Sequence, residues 1–141
     1  MVQRYLDFEI VKEVWNVYEL QDGTKIKIRF MLTAVRNEGK KRQIQFDQKI
    51  VTLCDESVCG KPSEKGHTPE QLQQNIEIDN CPYNTMVHEP SEYHLDDNSR
   101  VLIHQNVMSI ARTKLFDQEG NRIYLVDVTG SLNVKSKKLN V

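Results

Sequence analysis

The chain has one tryptophan, three cysteines, four prolines and six glycines among its 141 residues, and no long apolar run. Each scarcity removes a class of protein. Three cysteines are too few for a disulfide scaffold, and an odd number leaves one over. No stretch approaches the ~20 apolar residues of a membrane-spanning helix. The opening MVQRYLDFEIVK carries acidic residues where a signal sequence is apolar, so the expectation is a cytoplasmic protein with no membrane partner. An excess of one charge is also missing. Nineteen Lys and Arg against twenty Asp and Glu leave a net charge of -1, which argues against a chain built mainly to coat nucleic acid. The sequence contains no Gly-x-Gly-x-x-Gly, no phosphate-binding loop ending in Gly-Lys-Ser/Thr, no His-Glu-x-x-His and no Gly-x-Ser-x-Gly, so no catalytic residue is assigned and an enzyme is not indicated.

What is present is unevenly placed. Residues 1–53 hold ten Lys/Arg and seven Asp/Glu, residues 54–100 hold three and ten, and residues 101–141 hold six and three. The middle also contains every proline and every cysteine, whereas the flanks are rich in Ile, Val and Leu. The flanks therefore read as sheet and the middle as connection. Val14 to Leu20, the turn Gln21-Asp22-Gly23-Thr24 and Lys25 to Val35 form a hairpin pattern around Asp-Gly. Ile26, Ile28, Phe30, Leu32 and Ala34 alternate with Lys25, Lys27, Arg29, Met31 and Thr33, the period of a half-buried strand. Gln43 to Leu53 is its partner, with Ile44, Phe46, Ile50 and Leu53 as core candidates, and Leu6, Phe8 and Ile10 suggest a short opening strand. Arg100 to Lys114 and Arg122 to Val134 form a second hairpin about Gly120. One helix is signalled, with Thr68 as N-cap, Pro69 at the first helical position and Gln71 at capping-box spacing, running to Glu77.

Shifting the chain by 75 positions sets Tyr18–Arg36 against Tyr93–Ala111 without a gap. Tyr18/Tyr93, Leu20/Leu95, Asp22/Asp97 and Ile28/Ile103 are identical, and Gly23/Asn98 pairs the two residue types best suited to positive φ. Three strands with one apolar face cannot bury that face alone, so two copies should close on each other. The expected fold is all-β and mainly antiparallel, a pseudo-duplicated barrel or sandwich of six to eight strands. Its parts are a first meander repeat at 1–53, an acidic Cys/Pro-rich connection at 54–84 with a helix at 69–77, a second repeat at 85–134 and a basic tail at 135–141. The two repeats would make one compact domain.

Three groups of residues are candidate sites. Cys54, Cys59, His67 and Cys81 are of zinc-ligating type within 28 positions, although Cys-x4-Cys is wider than most zinc motifs, and a disulfide from Cys59 to Cys54 or Cys81 competes with metal. Ordinary reduced thiols and no cofactor are the simpler expectation. Lys25, Lys27 and Arg29, with Lys40, Lys41 and Arg42 nearby, form a basic strand face that suits phosphates, or else a lysine-guarded edge. Trp15 is the remaining anchor for a partner. Glu89, Glu92, Asp96 and Asp97 with His88 and His94 make an acidic run that resembles ordinary exposed turns. Trp15, Lys25, Lys27 and Arg29 are thus the candidate partner-binding residues. The leading functional expectation is a non-catalytic binding or assembly module that forms a homo-oligomer, most simply a dimer, or binds another protein. Its contact would include the second hairpin, should Val101–Ile110 lie at a sheet edge, or the Trp15 region. A single-stranded nucleic-acid binder and a metal-dependent or zinc-stabilised protein are the alternatives.

Overall fold

The computed structural model describes residues 4–136. Of the basic tail expected at 135–141, residues 137–141 lie outside the described residues, and Lys135 is the last residue of a strand. The described residues form ten strands: β1 (Arg4–Leu6), β2 (Phe8–Lys12), β3 (Asn16–Leu20), β4 (Lys25–Glu38), β5 (Lys41–Leu53), β6 (Ile76–Ile78), β7 (Tyr83–Val87), β8 (Ser91–Leu95), β9 (Arg100–Phe116) and β10 (Arg122–Lys135). A 3-10 turn (Glu56–Val58) and one helix, α1 (Pro69–Gln74), lie between β5 and β6. The fold is all-β and antiparallel, in two five-stranded sheets, and it is a sandwich because these sheets remain separate rather than joining into a barrel. No described helix is long and apolar enough to cross a membrane.

Ten strands exceed the expected six to eight because the chain changes sheet inside each repeat. In the first sheet β4 carries β5 along one side, and on its other side β3 near its start and β1 near its end, with β7 beyond β3. In the second sheet β9 carries β10 on one side and β8 and β6 on the other, with β2 beyond β8. Thus β2 precedes β3 in sequence but pairs in the opposite sheet, and β7 precedes β8 and does the same. The repeats exchange one strand each, so neither is a simple meander, and the stretch expected to be connection also supplies β6 and the start of β7.

The 75-residue shift holds register by register. Phe8 opposes Leu95 as Tyr83 opposes Leu20, and Asn16 opposes Ile28 as Ser91 opposes Ile103. The bulge in β4 falls at Thr33, between Leu32 and Ala34, and that in β9 at Met108, between Val107 and Ser109. Both hairpin turns use the same chemistry. Asp22 accepts from Thr24 N at 2.8 Å and Asp97 from Ser99 N at 3.0 Å, while Gly23 (φ 91°) and Asn98 (φ 66°) take the left-handed conformation. Asn98 is the one non-glycine residue with positive φ among those described, at a position where a short polar side chain is tolerated.

The core is correspondingly double. One cluster joins Leu6, Phe30, Leu32 and Val35 of the first sheet to Tyr93, Leu95, Val101 and Ile103 of the second. The other joins Tyr18, Leu20, Ile26 and Ile28 to Cys81, Ile110 and Tyr124. Adding 75 carries Leu6 onto Cys81, Val35 onto Ile110, and Tyr18 onto Tyr93. Gly130 of β10 has no side chain because the Phe46 ring occupies its place, 2.7 Å from where a Cβ would stand.

Two core expectations fail. Leu53 is half exposed because it alternates with Ile50 and so faces outward beside Lys25. Ile50 points inward, opposite Ile28, yet is 37% exposed at the sheet's edge. The helix has its capping box, with Gln71 N donating to Thr68 Oγ1 at 3.2 Å. It ends at Gln74 rather than Glu77, because Ile76 and Ile78 join β9 as β6. Because Ile28 and Ile103 occupy equivalent buried positions, Ile28→Ala and Ile103→Ala are expected to destabilise similarly, by about 2–5 kcal/mol each in denaturant melts. A large loss at one with none at the other contradicts their equivalence.

Candidate interaction surface

The chain crosses from the second sheet to the first through Glu13, Val14 and Trp15. This crossing brings Trp15 onto the outer face of β4, where Lys27 Nζ lies 5.6 Å and Arg29 Cζ 5.9 Å from the ring centroid. Such cation–π contacts hold the indole against the strand. Arg29 is also ion-paired with Glu13, and the other Glu13 oxygen accepts from Tyr93 Oη at 2.8 Å. Burial, aided by the Glu13 carboxylate and opposed by the Leu32 amide, pushes the Tyr93 hydroxyl up to about 12. It therefore remains a donor, and the surface cation is tied through Glu13 to the core.

Three of the four candidate residues, Trp15, Lys27 and Arg29, thus come together, while Lys25 stands farther along, opposite Glu19 on β3 and Leu53 on β5. Lys25 and Lys27 guard no edge, because β3 and β5 flank β4 there, while Arg29 pairs with β5 alone, just past the end of β3. Of Val101–Ile110, β8 covers the part up to Ile103 and residues 104–110 have β10 alone as a strand partner, whereas the long edges are β5 and β10. Arg42 leaves the basic group altogether. It pairs with Asp97 and donates to Ser99 Oγ at 3.0 Å and Asn37 Oδ1 at 3.2 Å, fastening the Asp97–Ser99 turn between β8 and β9.

The first hairpin turn is fastened by residues that composition and motif reading do not single out. Tyr124 Oη donates to Asp22 Oδ2 at 2.5 Å, and Arg112 joins the same oxygen at 3.1 Å while reaching Glu77 at 3.0 Å. Burial raises the Asp22 carboxyl, but the hydrogen bonds from Tyr124, Thr24 and Arg112 outweigh it and hold the group below its ordinary value. Asp97 is held down in the same way by Ser99 and Arg42 against its own burial. The one sequence signal for this network is the identity of Asp22 and Asp97 in the repeat.

The acidic run is largely consumed by partners. Glu89 pairs with Lys12 at 2.7 Å, Glu92 with Arg100 at 2.7 Å, and Asp97 with Arg42. His88 Nδ1 meets Tyr18 Oη at 2.9 Å, and Gln105 Nε2 donates to the same hydroxyl at 2.9 Å. This is the counterpart of Glu13 on Tyr93, since His88 stands 75 positions after Glu13. Tyr18, His88 and Gln105 line an open cleft of about 330 Å³ with Tyr83, Thr85 and Val107.

The four zinc-type residues are not gathered. Cys54 and Cys59 are neighbours, with Sγ atoms 3.5 Å apart. His67 Nε2 is bound to Phe116 O at 3.0 Å, and Cys81 is buried in the second core cluster. No three His, Cys, Asp or Glu side chains converge as a metal site among the described residues. Set against family models, curated proteins and solved structures, the chain matches none.

Two outcomes follow from this geometry. A carboxylate with a lowered folded-state pKa stabilises above its unfolded value, about 3.9 for Asp, and loses that contribution as pH falls through the folded value. Asp22→Asn should therefore flatten the decline of the melting temperature below about pH 4; an unchanged acid limb contradicts the network. Elemental analysis should return no stoichiometric zinc, and under reducing conditions Cys59→Ser should leave the melting temperature nearly unchanged.

Proposed function

We propose that the chain is a non-catalytic binding and assembly module that pairs with a second copy of itself through the β10 edge. The observation that carries this reading is the run Val128 to Val134. It lies on a strand partnered on one side only among the described residues, contains neither charge nor proline, and leaves Leu132 39% and Val134 40% exposed. Natural edges are ordinarily blunted by lysine, proline or a short length. Β5, the equivalent edge, has Lys41, Arg42, Asp47 and Lys49 along it, whereas β10 is bare over seven residues. A twofold antiparallel β10–β10 pairing satisfies the open N–H and C=O groups and covers the same apolar residues on both chains.

Ser131→Lys and Asn133→Lys place charges on this edge without entering the core. Light scattering across a micromolar dilution series should show a dimer mass for the native chain and a monomer mass for the double variant, with matching circular dichroism. A native monomer at every concentration overturns the proposal.

A single-strand nucleic-acid binder is the second reading, favoured by Trp15 beside Lys27 and Arg29, with Lys49 opposite Arg29 on β5. The Arg29–Glu13 ion pair weakens it, because one of the cations already has a carboxylate partner. Salt-dependent retention on immobilised single strands, lost in Lys27→Ala, would favour it over self-assembly.

A further inference from the structure

Cys54 follows β5 directly, and Cys59 follows the 3-10 turn Glu56–Val58. Both are free thiols, and their Sγ atoms stand 3.5 Å apart. The local chain fixes this approach from several sides. Asp55 caps the turn, accepting from Ser57 N at 3.1 Å and Ser57 Oγ at 2.5 Å, and Cys59 N donates to Glu56 O at 3.2 Å. Each sheet then holds the segment. Asp55 N donates to Thr24 Oγ1 at 3.1 Å beside the first hairpin turn, Arg122 Nε to Val58 O at 3.0 Å, and Gly60 N to Gly120 O at 3.0 Å in the second. Arg122 N also donates to Cys54 Sγ at 3.4 Å.

We propose that Cys54 and Cys59 are an oxidisable dithiol that closes to an intramolecular disulfide by exchange with a small-molecule disulfide of the glutathione class. The thiolate of exposed Cys59 attacks one sulphur of the oxidant, the oxidant's S–S bond breaks, and one small thiolate leaves. Cys54 then attacks the Cys59 sulphur of the mixed disulfide and expels the second. Two protein thiols lose two protons and two electrons to one protein disulfide, and the small disulfide is reduced to two thiols. Bonded sulphurs stand about 2.05 Å apart, so the pair must close by roughly 1.5 Å, a shift that side-chain torsions supply. The hydrogen bond from Cys59 to Cys54, with the carboxylates of Glu56 and Asp55 nearby, holds the Cys59 thiol above its ordinary value, so exchange near neutral pH is slow. Cys81 is buried in the core and takes no part. Closure locks the bracket that connects the turns of the two sheets.

The test is equilibration of the full chain with oxidised glutathione, read by intact mass, peptide mapping and thermal melting. The expected result is a loss of two hydrogens in mass, a Cys54–Cys59 cross-link, and a melting temperature several degrees higher that dithiothreitol reverses. Cys81→Ser should behave as the native chain, and Cys54→Ser should stop at a glutathione adduct on Cys59. Stable glutathione adducts on the native protein, a bond to Cys81, or an unchanged melting temperature after closure would overturn the proposal.

Discussion

The backbone N–H of Leu32 donates to the hydroxyl of Tyr93, 3.0 Å away on the facing sheet, at a point where β4 has lost its strand partner. β3 covers β4 as far as Ile28 and β1 resumes at Val35, so the backbone between them has no ladder on that side. Ser91, also on β8, donates to Phe30 O at 3.0 Å. An interrupted ladder inside a core leaves polar backbone groups whose desolvation is costly unless another group replaces the missing partner. Here the opposite sheet supplies it. At the equivalent place in the second copy the two sheets meet through side chains alone: Asn16 donates to Gln105 Oε1 at 3.2 Å, and Gln105 donates to Tyr18 Oη. Gln105 thus stands, buried, where the first copy has Phe30.

The exchange of β2 and β7 accompanies this interruption. Each repeat sends one strand across, and the crossings run side by side, with Asn16 Nδ2 donating to Glu89 O at 3.0 Å and Glu89 N returning to Asn16 Oδ1 at 2.8 Å. Neither sheet is complete without the other repeat, and each half of the core draws on both. The surface is connected to this arrangement. Glu13 joins Tyr93 to Arg29, Arg29 packs on Trp15, and the outer face of the first sheet is thereby positioned by a buried hydroxyl.

Much of this was legible in residue types and spacing. The alternation of Lys25 to Leu32, the Asp-Gly turn, the 75-residue shift and the Thr68 capping box all rest on local chemistry, and the structure has each of them; the alternation expected to continue to Ala34 stops at the Thr33 bulge, beyond which Val35 takes the buried place. The strand exchange does not, because β2 and β7 are five residues long with no clean alternation, and such strands carry little information about which face or partner they take. Leu53 illustrates the limit of reading by residue type: it is apolar but out of phase with Ile44, Phe46 and Ile50. The hydroxyl partners Glu13 and His88 share no chemistry beyond polarity, so no motif connects them until the repeat register is followed through the crossings. For the cysteines, spacing alone left metal, disulfide and free thiol open; what narrows them is the capped turn that brings Cys54 and Cys59 together while Cys81 is taken into the core.

The dependence of the sandwich on cross-sheet side chains is most directly tested by amide hydrogen exchange at Leu32 in the native chain and in Tyr93→Phe, which removes one oxygen atom and retains the ring. The account predicts that Leu32 exchanges as slowly as the ladder-bonded core amides in the native protein, and far faster in the variant, with a stability loss of about 1–3 kcal/mol from the unsatisfied amide. Fast exchange at Leu32 in the native protein, or unchanged protection in Tyr93→Phe, would contradict it.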